Sequence, residues 1–312
     1  MHTTTGRWKL GLVLSLITVV MWGALPIALK GILDDIDSYT ITWFRFSVSV
    51  VLVGLILFYK NSVPSFNWIK NSSNVKLFSL VIFGLTSNYV LYLLGLELIT
   101  PSAAQVLIQV APLLLLIGGI FVYKEPFSLF QWLGVLLFVI GLILFFNHRI
   151  ELIFDSSSDY GVGLLLILIA AITWAAYALA QKQLLIDYSS QQIMWVAYVA
   201  ATLLLFPTVE LDSVSSLSDF QWGLLIFCCI NTVIAYGCFA ESLQHWEASR
   251  VGAVLTLTPL VTIVLGFITN HYFPEYIEVE NLNGASLLGA GVLVAGSLLT
   301  ALSKKVRANS QT

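Results

Sequence analysis

The sequence predicts an all-α integral membrane protein, with ten transmembrane helices in two inverted five-helix repeats. Hydrophobic residues make up 58% of the 312 positions and charged residues 10%, with a mean hydropathy of +0.92. A soluble domain carries about 25% charge, so this chain has too little to cover a water-facing surface. Apolar runs of about 20 residues, enough for a helix to cross a bilayer, recur along the whole chain. The second half also repeats residue patterns of the first. A β-barrel is excluded by run length, because its strands would need only about 9–11 residues and would alternate polar and apolar.

The first run, 9–30, follows Arg7 and Lys9, as the core of a signal peptide would. It is about 20 residues long and lacks a small-residue cleavage site, so it reads as a span. Asp34-Asp35-Ile36-Asp37 makes a turn before the second span, 38–59, and Asn71-Ser72-Ser73-Asn74 before the third, 77–98. Thr100-Pro101 opens the fourth, 102–123, where proline suits a first helical turn. Lys124-Glu125-Pro126 ends it and introduces the fifth, 129–147. Ser156-Ser157-Ser158-Asp159 leads into 161–183, followed by 191–211, 221–243 and 250–272; Phe273-Pro274-Glu275 precedes the last span, 284–302. No soluble domain fits between any pair of spans.

Orientation follows from lysine and arginine in the loops. With the N-terminus inside, the inner side holds Arg7, Lys9, Lys60, Lys70, Lys76, Lys124, Lys182, Arg250, Lys304, Lys305 and Arg307. The outer side holds only Lys30 and Arg149, and Arg45 falls within a span. Both termini are therefore expected in the cytoplasm, and the chain in the cell (inner) membrane. The net charge of −3 is small and says little about partners, and no basic stripe points to nucleic acid. The expected partners are the lipid bilayer and a small-molecule substrate.

The halves match at an offset of 152 residues early on, where Leu16–Trp22 aligns with Leu168–Trp174, Lys30 with Lys182 and Trp43 with Trp195. Later the offset is 147, pairing Tyr89 with Tyr236, Ser102 with Ser249, Pro112 with Pro259 and Gly119 with Gly266. Residues 9–147 and 161–302 are thus read as two five-span units. Five is odd, so the second unit enters the membrane from the opposite side. An inverted repeat of this kind is the usual basis of alternating access.

A ten-span chain of two five-helix halves resembles the drug/metabolite transporter superfamily, in its EamA-type branch. The likeness rests on Trp22-Gly23 in the first span, Arg45-Phe46 in the second and Ala111-Pro112 in the fourth. Glu125 follows that proline by thirteen residues, before a Gly-rich fifth span. Ala197 and Tyr272 stand where the second half would repeat Arg45 and Glu125, so those two roles do not carry over. The resemblance implies secondary transport of a small organic metabolite, with export of an amino acid or similar amphipathic compound as the family-level expectation. A passive facilitator or channel, or a non-transporting membrane sensor, are the alternatives.

Polar groups inside a span cost about 2.5–3.5 kcal/mol near its middle when charged, and tend to face the bundle interior. Gln105 and Gln109 share one helical stripe with Pro112, Leu116 and Gly119, answered by Gly252, Thr256, Pro259, Ile263 and Gly266. The two amides suit either a polar cargo or helix–helix hydrogen bonds. Asn88, Tyr89 and Tyr92 line the third span, Trp174, Tyr177 and Gln181 the sixth, and Asn231 and Tyr236 the eighth; Trp22 lies deep in the first. Aromatic walls with a few amides suit an organic cargo with an apolar part. The central site is expected between spans 1, 3, 4, 6, 8 and 9, with Pro112 and Pro259 as hinges.

Arg45 is expected to act as an outer anchor in preference to a cargo ligand, on backbone carbonyls, by snorkelling outward, or on Asp34, Asp35 or Asp37. Lys30 and Lys182 read as interfacial caps, ahead of gate partners of Glu97 and Glu241 or groups that attract an anionic cargo. Glycines in the fifth and tenth spans, Gly134, Gly141, Gly289 and Gly296 among them, read as a packing or homodimer surface. No cofactor, metal or catalytic set is expected: Cys228, Cys229 and Cys238 read as inert thiols, and the histidines are placed in tails and loops.

Overall fold

The computed structural model describes residues 5–64, 69, 71–124, 127–155, 157–274 and 282–302, and every regular element among them is a helix. In chain order these are α1 (Trp8–Leu33), α2 (Ser38–Tyr59), α3 (Ser72–Leu98), α4 (Pro101–Leu107) and α5 (Val110–Tyr123). Then come α6 (Leu129–Phe145), α7 (Ile150–Phe154), α8 (Tyr160–Leu184), α9 (Ser190–Leu205) and α10 (Leu211–Ser215). The last four are α11 (Asp219–His245), α12 (Ala248–Leu255), α13 (Thr258–Tyr272) and α14 (Gly284–Leu302). Nine described stretches are long and apolar enough to cross a membrane; α6, bent by 49° into Asn147–Phe154, brings the number to as many as ten. The protein is an all-helical, multi-pass membrane protein.

The helix starts are set by side chains that satisfy the first free amides. Asp37 accepts from the amides of Tyr39 and Thr40 at 2.9 Å each, and Asn71 accepts from Ser73 at 3.0 Å. Because Asn71 caps α3, that helix begins five residues before the expected apolar start. Ser128, Ser189 and Ser218 each form a capping box with a glutamine three residues on, Gln131, Gln192 and Gln221. Helix α9 stops at Leu205, short of the expected 211, because Pro207 cannot continue it.

Two spans are broken. The fourth is interrupted at Ile108 and Gln109, the ninth at Thr256 and Leu257. Pro112 and Pro259 lie just beyond these breaks, in the first turns of α5 and α13. Proline has no amide hydrogen to offer the carbonyl four residues back, and its ring crowds that carbonyl. The ladder instead tightens to three-residue steps, Gln109 N to Val106 O at 3.3 Å and Ala111 N to Ile108 O at 2.9 Å. In the ninth span Leu257 N reaches Val254 O at 3.1 Å, and the Thr258 hydroxyl takes Leu255 O at 2.6 Å.

Tight antiparallel pairs hold the bundle. Helix α3 packs on α8, α1 on α11, α2 on α9 and α6 on α14. Small residues permit the close approach. A methyl group at Gly95 would fall 2.9 Å from Gly163 O, and one at Gly11 would fall 2.5 Å from the Trp246 Cβ. On α6, a methyl at Gly134 would meet Gly296 O at 2.7 Å. The glycines of the fifth and tenth spans thus face each other within one chain. Outward, α6 presents Phe130, Leu133, Leu136, Ile140 and Ile143, all exposed, as suits contact with lipid.

Not all histidines lie in loops. His245 ends α11 and is buried, with Nδ1 2.7 Å from the Thr5 hydroxyl and Nε2 3.2 Å from Glu241. Glu241 is therefore engaged with its own helix. Glu125 and the segment 275–281 lie outside the described residues.

Candidate functional site

The aromatic residues singled out from four spans converge. Trp22 on α1 meets Tyr236 on α11 edge-on, with ring centroids 5.3 Å apart, and Phe239 at 5.8 Å. The Tyr236 hydroxyl lies beside Trp174 on α8, whose ring sits 6.1 Å from Tyr177. The Tyr89 hydroxyl on α3 faces Thr232 and Tyr236. Trp22, Trp174 and Tyr236 are half-buried, whereas Tyr89 and Tyr177 are buried. Edge-on pairs of this kind add about 0.5–1.5 kcal/mol beyond their area, so the cluster holds its own shape. The result is a wall of indole and phenol rings, with hydroxyls and ring N–H groups at intervals, where α1, α3, α8 and α11 meet.

The amides do different work. Asn88 Nδ2 donates to Ala170 O at 2.9 Å, binding α3 to α8, and Asn231 Nδ2 donates to Met21 O at 2.6 Å, binding α11 to α1. The Asn231 Oδ1 is buried and unpartnered among the described residues. Gln181 Nε2 donates to Ser190 Oγ at 3.2 Å and fastens α8 to the start of α9. Gln105 is buried and accepts from the Tyr92 hydroxyl at 3.4 Å. Gln109 occupies the break itself, half-buried, its side chain without a partner among the described residues. Thr256 lies in the other break and is buried, its hydroxyl donating to Ala253 O at 2.7 Å. The expected stripe does not run as one face: Gln105 points in, while Pro112, beyond the break, is exposed. Pro259 is buried.

Arg45 departs most from expectation. It is 3% exposed and contacts none of Asp34, Asp35 or Asp37. Asp37 spends one oxygen capping α2, and Asp35 accepts from Gln221. Arg45 instead crosses toward α11, where Nε donates to Thr232 Oγ1 at 3.1 Å, and its guanidinium lies 4.5 Å above the Tyr89 ring. That ring packs on Phe46 at 4.7 Å, and Phe46 on Tyr198 at 5.5 Å. Lys30 behaves as a cap: Nζ donates to Leu96 O at 3.1 Å and Glu97 O at 2.8 Å, at the carbonyl end of α3. An apolar crevice of about 300 Å³ lies elsewhere, between α12 and α14, lined by Ala253, Leu257, Leu298 and Leu302. Arg250 on its rim pairs with Glu247 at 3.0 Å, and nothing polar converges there.

The family model of the EamA-like transporter family matches this chain twice, over residues 9–147 and 161–302. The chain belongs to that family. Among the relatives of this EamA-like transporter is an uncharacterized transporter of Haemophilus influenzae, 37% identical over 95% of this chain and 96% of its own length. The uncharacterized inner membrane transporter YhbE of Escherichia coli K12 is 34% identical over 95% of this chain and 92% of its own. An uncharacterized transporter of Archaeoglobus fulgidus is 26% identical over 89% and 95%. One solved crystal structure, 15% identical, superposes with a TM-score of 0.64 over 94% of this chain and 97% of that one, which establishes likeness of fold. The protein is a membrane transporter.

Proposed function

We propose that this transporter carries a small organic metabolite, an amino acid or similar amphipathic compound, out across the cytoplasmic membrane by alternating access. The observation that carries the reading is the cluster of Trp22, Tyr89, Trp174, Tyr177 and Tyr236, gathered from four helices at the centre of the bundle. Such walls bind an apolar body while leaving hydrogen-bonding groups to orient a polar end. Gln105 and Gln109 supply further polar contacts from the fourth span, beside the break.

Two inverted halves, 9–147 and 161–302, are supported by contacts that coincide under the sequence offsets. Gly163 abuts Ile99 at the end of α3, and Gly11, its counterpart, abuts Trp246 at the end of α11, the counterpart of Ile99. Asn88 donates to Ala170 O, and at the equivalent place Thr18 donates to Ala235 O at 3.3 Å. Two packings of near-equal halves, exchanged by small shifts at these interfaces, open the site to one side or the other. A homodimer through α6 and α14 would use their outer leucine-rich sides, since the glycines are occupied within the chain.

The test is counterflow in proteoliposomes, with cargo first chosen by untargeted metabolite comparison of overexpressing and deleted cells. Saturable exchange is expected, and Gln109→Leu should lower it several-fold with expression and folding intact. Flux linear in concentration would replace the carrier with a facilitator, and unchanged flux in Gln109→Leu would remove that residue from the site. Membrane orientation has a separate check. A reporter fused after Thr312 is expected to read cytoplasmic, and a periplasmic signal would overturn the charge argument.

A further inference from the structure

Arg45 carries a positive charge that no described carboxylate neutralises. Among the described residues no carboxylate lies within ion-pair distance of it. A guanidinium has five N–H donors, and here only Nε–H has a partner, Thr232. The terminal nitrogens donate to nothing among the described residues, yet neither is fully enclosed. Each therefore keeps a small accessible surface at which a ligand atom can reach it.

The setting is built. Tyr89 supports the guanidinium from one side, Thr232 fixes Nε, and Thr232 is held in turn by Cys228 O at 3.0 Å. Arg45 is therefore oriented from behind with its fork left for another ligand. A purely structural arginine in a membrane protein pairs with an acid or with backbone carbonyls. This one does neither. The charge is also one-sided, because the position that matches Arg45 in the second half is Ala197, buried and apolar.

We infer that Arg45 receives the carboxylate of the transported compound, and that the cargo is an organic anion or zwitterion with an apolar or aromatic body. This rests on the transport reading above and sharpens it. A planar guanidinium binds a carboxylate through two parallel hydrogen bonds, and exclusion of water strengthens the pair. Tyr89 touches both Arg45 and the space beside Tyr236, so a carboxylate at the fork places the body of the cargo toward the rings of Tyr236, Trp22 and Trp174. Amine-only cargos leave the fork empty, and a neutral carbonyl accepts from it without the charge and second oxygen that make the carboxylate pair strong.

The experiment measures thermal unfolding of the full-length, detergent-purified protein with matched carboxylates and carboxamides. The pairs are phenylacetate and phenylacetamide, hexanoate and hexanamide, and L-phenylalanine and its amide. A ligand that binds only the folded state raises the melting temperature in proportion to its affinity. At least one carboxylate is expected to stabilise the wild type while its amide does not. Arg45→Gln should weaken that carboxylate about tenfold or more, and Arg45→Lys should keep part of the effect. If Arg45→Gln does not fold, Thr232→Val, which releases Nε, is expected to weaken the carboxylate and leave amides unaffected. The inference is overturned if no carboxylate stabilises the protein, if amides do so equally, or if the Arg45 and Thr232 variants bind carboxylates as well as wild type. Arg45-dependent binding without saturable flux would strike the carrier reading alone. Saturable flux of a neutral or cationic compound, indifferent to Arg45→Gln, would strike this inference alone.

Discussion

Leucine at Gly141 is expected to remove most folded protein from the membrane. A Cβ there would fall 2.7 Å from both the Gly289 carbonyl oxygen and the Leu293 Cα, and both are backbone that cannot swing aside. Overpacking of a tight interface costs about 1–3 kcal/mol, and more where backbone is struck. The better helix propensity of leucine returns less than about 1 kcal/mol, so the clash wins. Gly291, on the partner helix α14, provides the control, because a Cβ there meets nothing within 4 Å. Gly291→Leu should express and melt as wild type. The comparison is read by size-exclusion profile and melting temperature in mild detergent. Equal behaviour of the two variants would mean that α6 and α14 do not meet through their glycines.

The architecture was legible because lipid imposes simple rules. A span must be long, apolar and helical, and its loops betray themselves through charge and turn residues. Helix breaks were half legible. Pro112 and Pro259 announced a bend, but the interruption falls before each proline, at Ile108–Gln109 and Thr256–Leu257, since the carbonyls upstream lose their donor. That displacement is why Gln105 and Pro112, spaced to share a face, do not. The capping boxes at Ser128, Ser189 and Ser218 were readable from serine followed three places later by glutamine.

Pairings across the bundle were not legible. Depth and spacing single out Trp22, Trp174 and Tyr236 one helix at a time. That they meet depends on α1 crossing α11 and α3 crossing α8, which one helix cannot reveal. Arg45 shows the limit most plainly. By position it belonged with Asp34, Asp35 and Asp37, about two turns away on the same side. Its actual partners, Tyr89 and Thr232, come from helices distant in sequence, and no local signal ties them to it.

Replacing both prolines, Pro112→Ala with Pro259→Ala, is expected to slow transport about tenfold or more while leaving the protein as stable as before, or more so. Alanine restores the amide that each break lacks, so the fourth and ninth spans can run straight. Proline inside a helix is disfavoured against alanine by about 3 kcal/mol, and about 1.4 kcal/mol already shifts an equilibrium tenfold. Even half of the larger figure, placed on the straight form, would trap the halves in one arrangement. The two breaks are not equally secured. Thr256 and Thr258 hydroxyls hold Ala253 O and Leu255 O across the second, whereas Gln109 and Ala111 offer no hydroxyl at the first. The single Pro112→Ala change should therefore have the larger effect on rate, because the less tied break bends more readily and has more motion to lose. Initial counterflow rates set against melting temperatures separate the cases. A slower carrier that melts at or above the wild-type temperature fits hinges, whereas wild-type rates in both single variants would leave the prolines as helix starts alone.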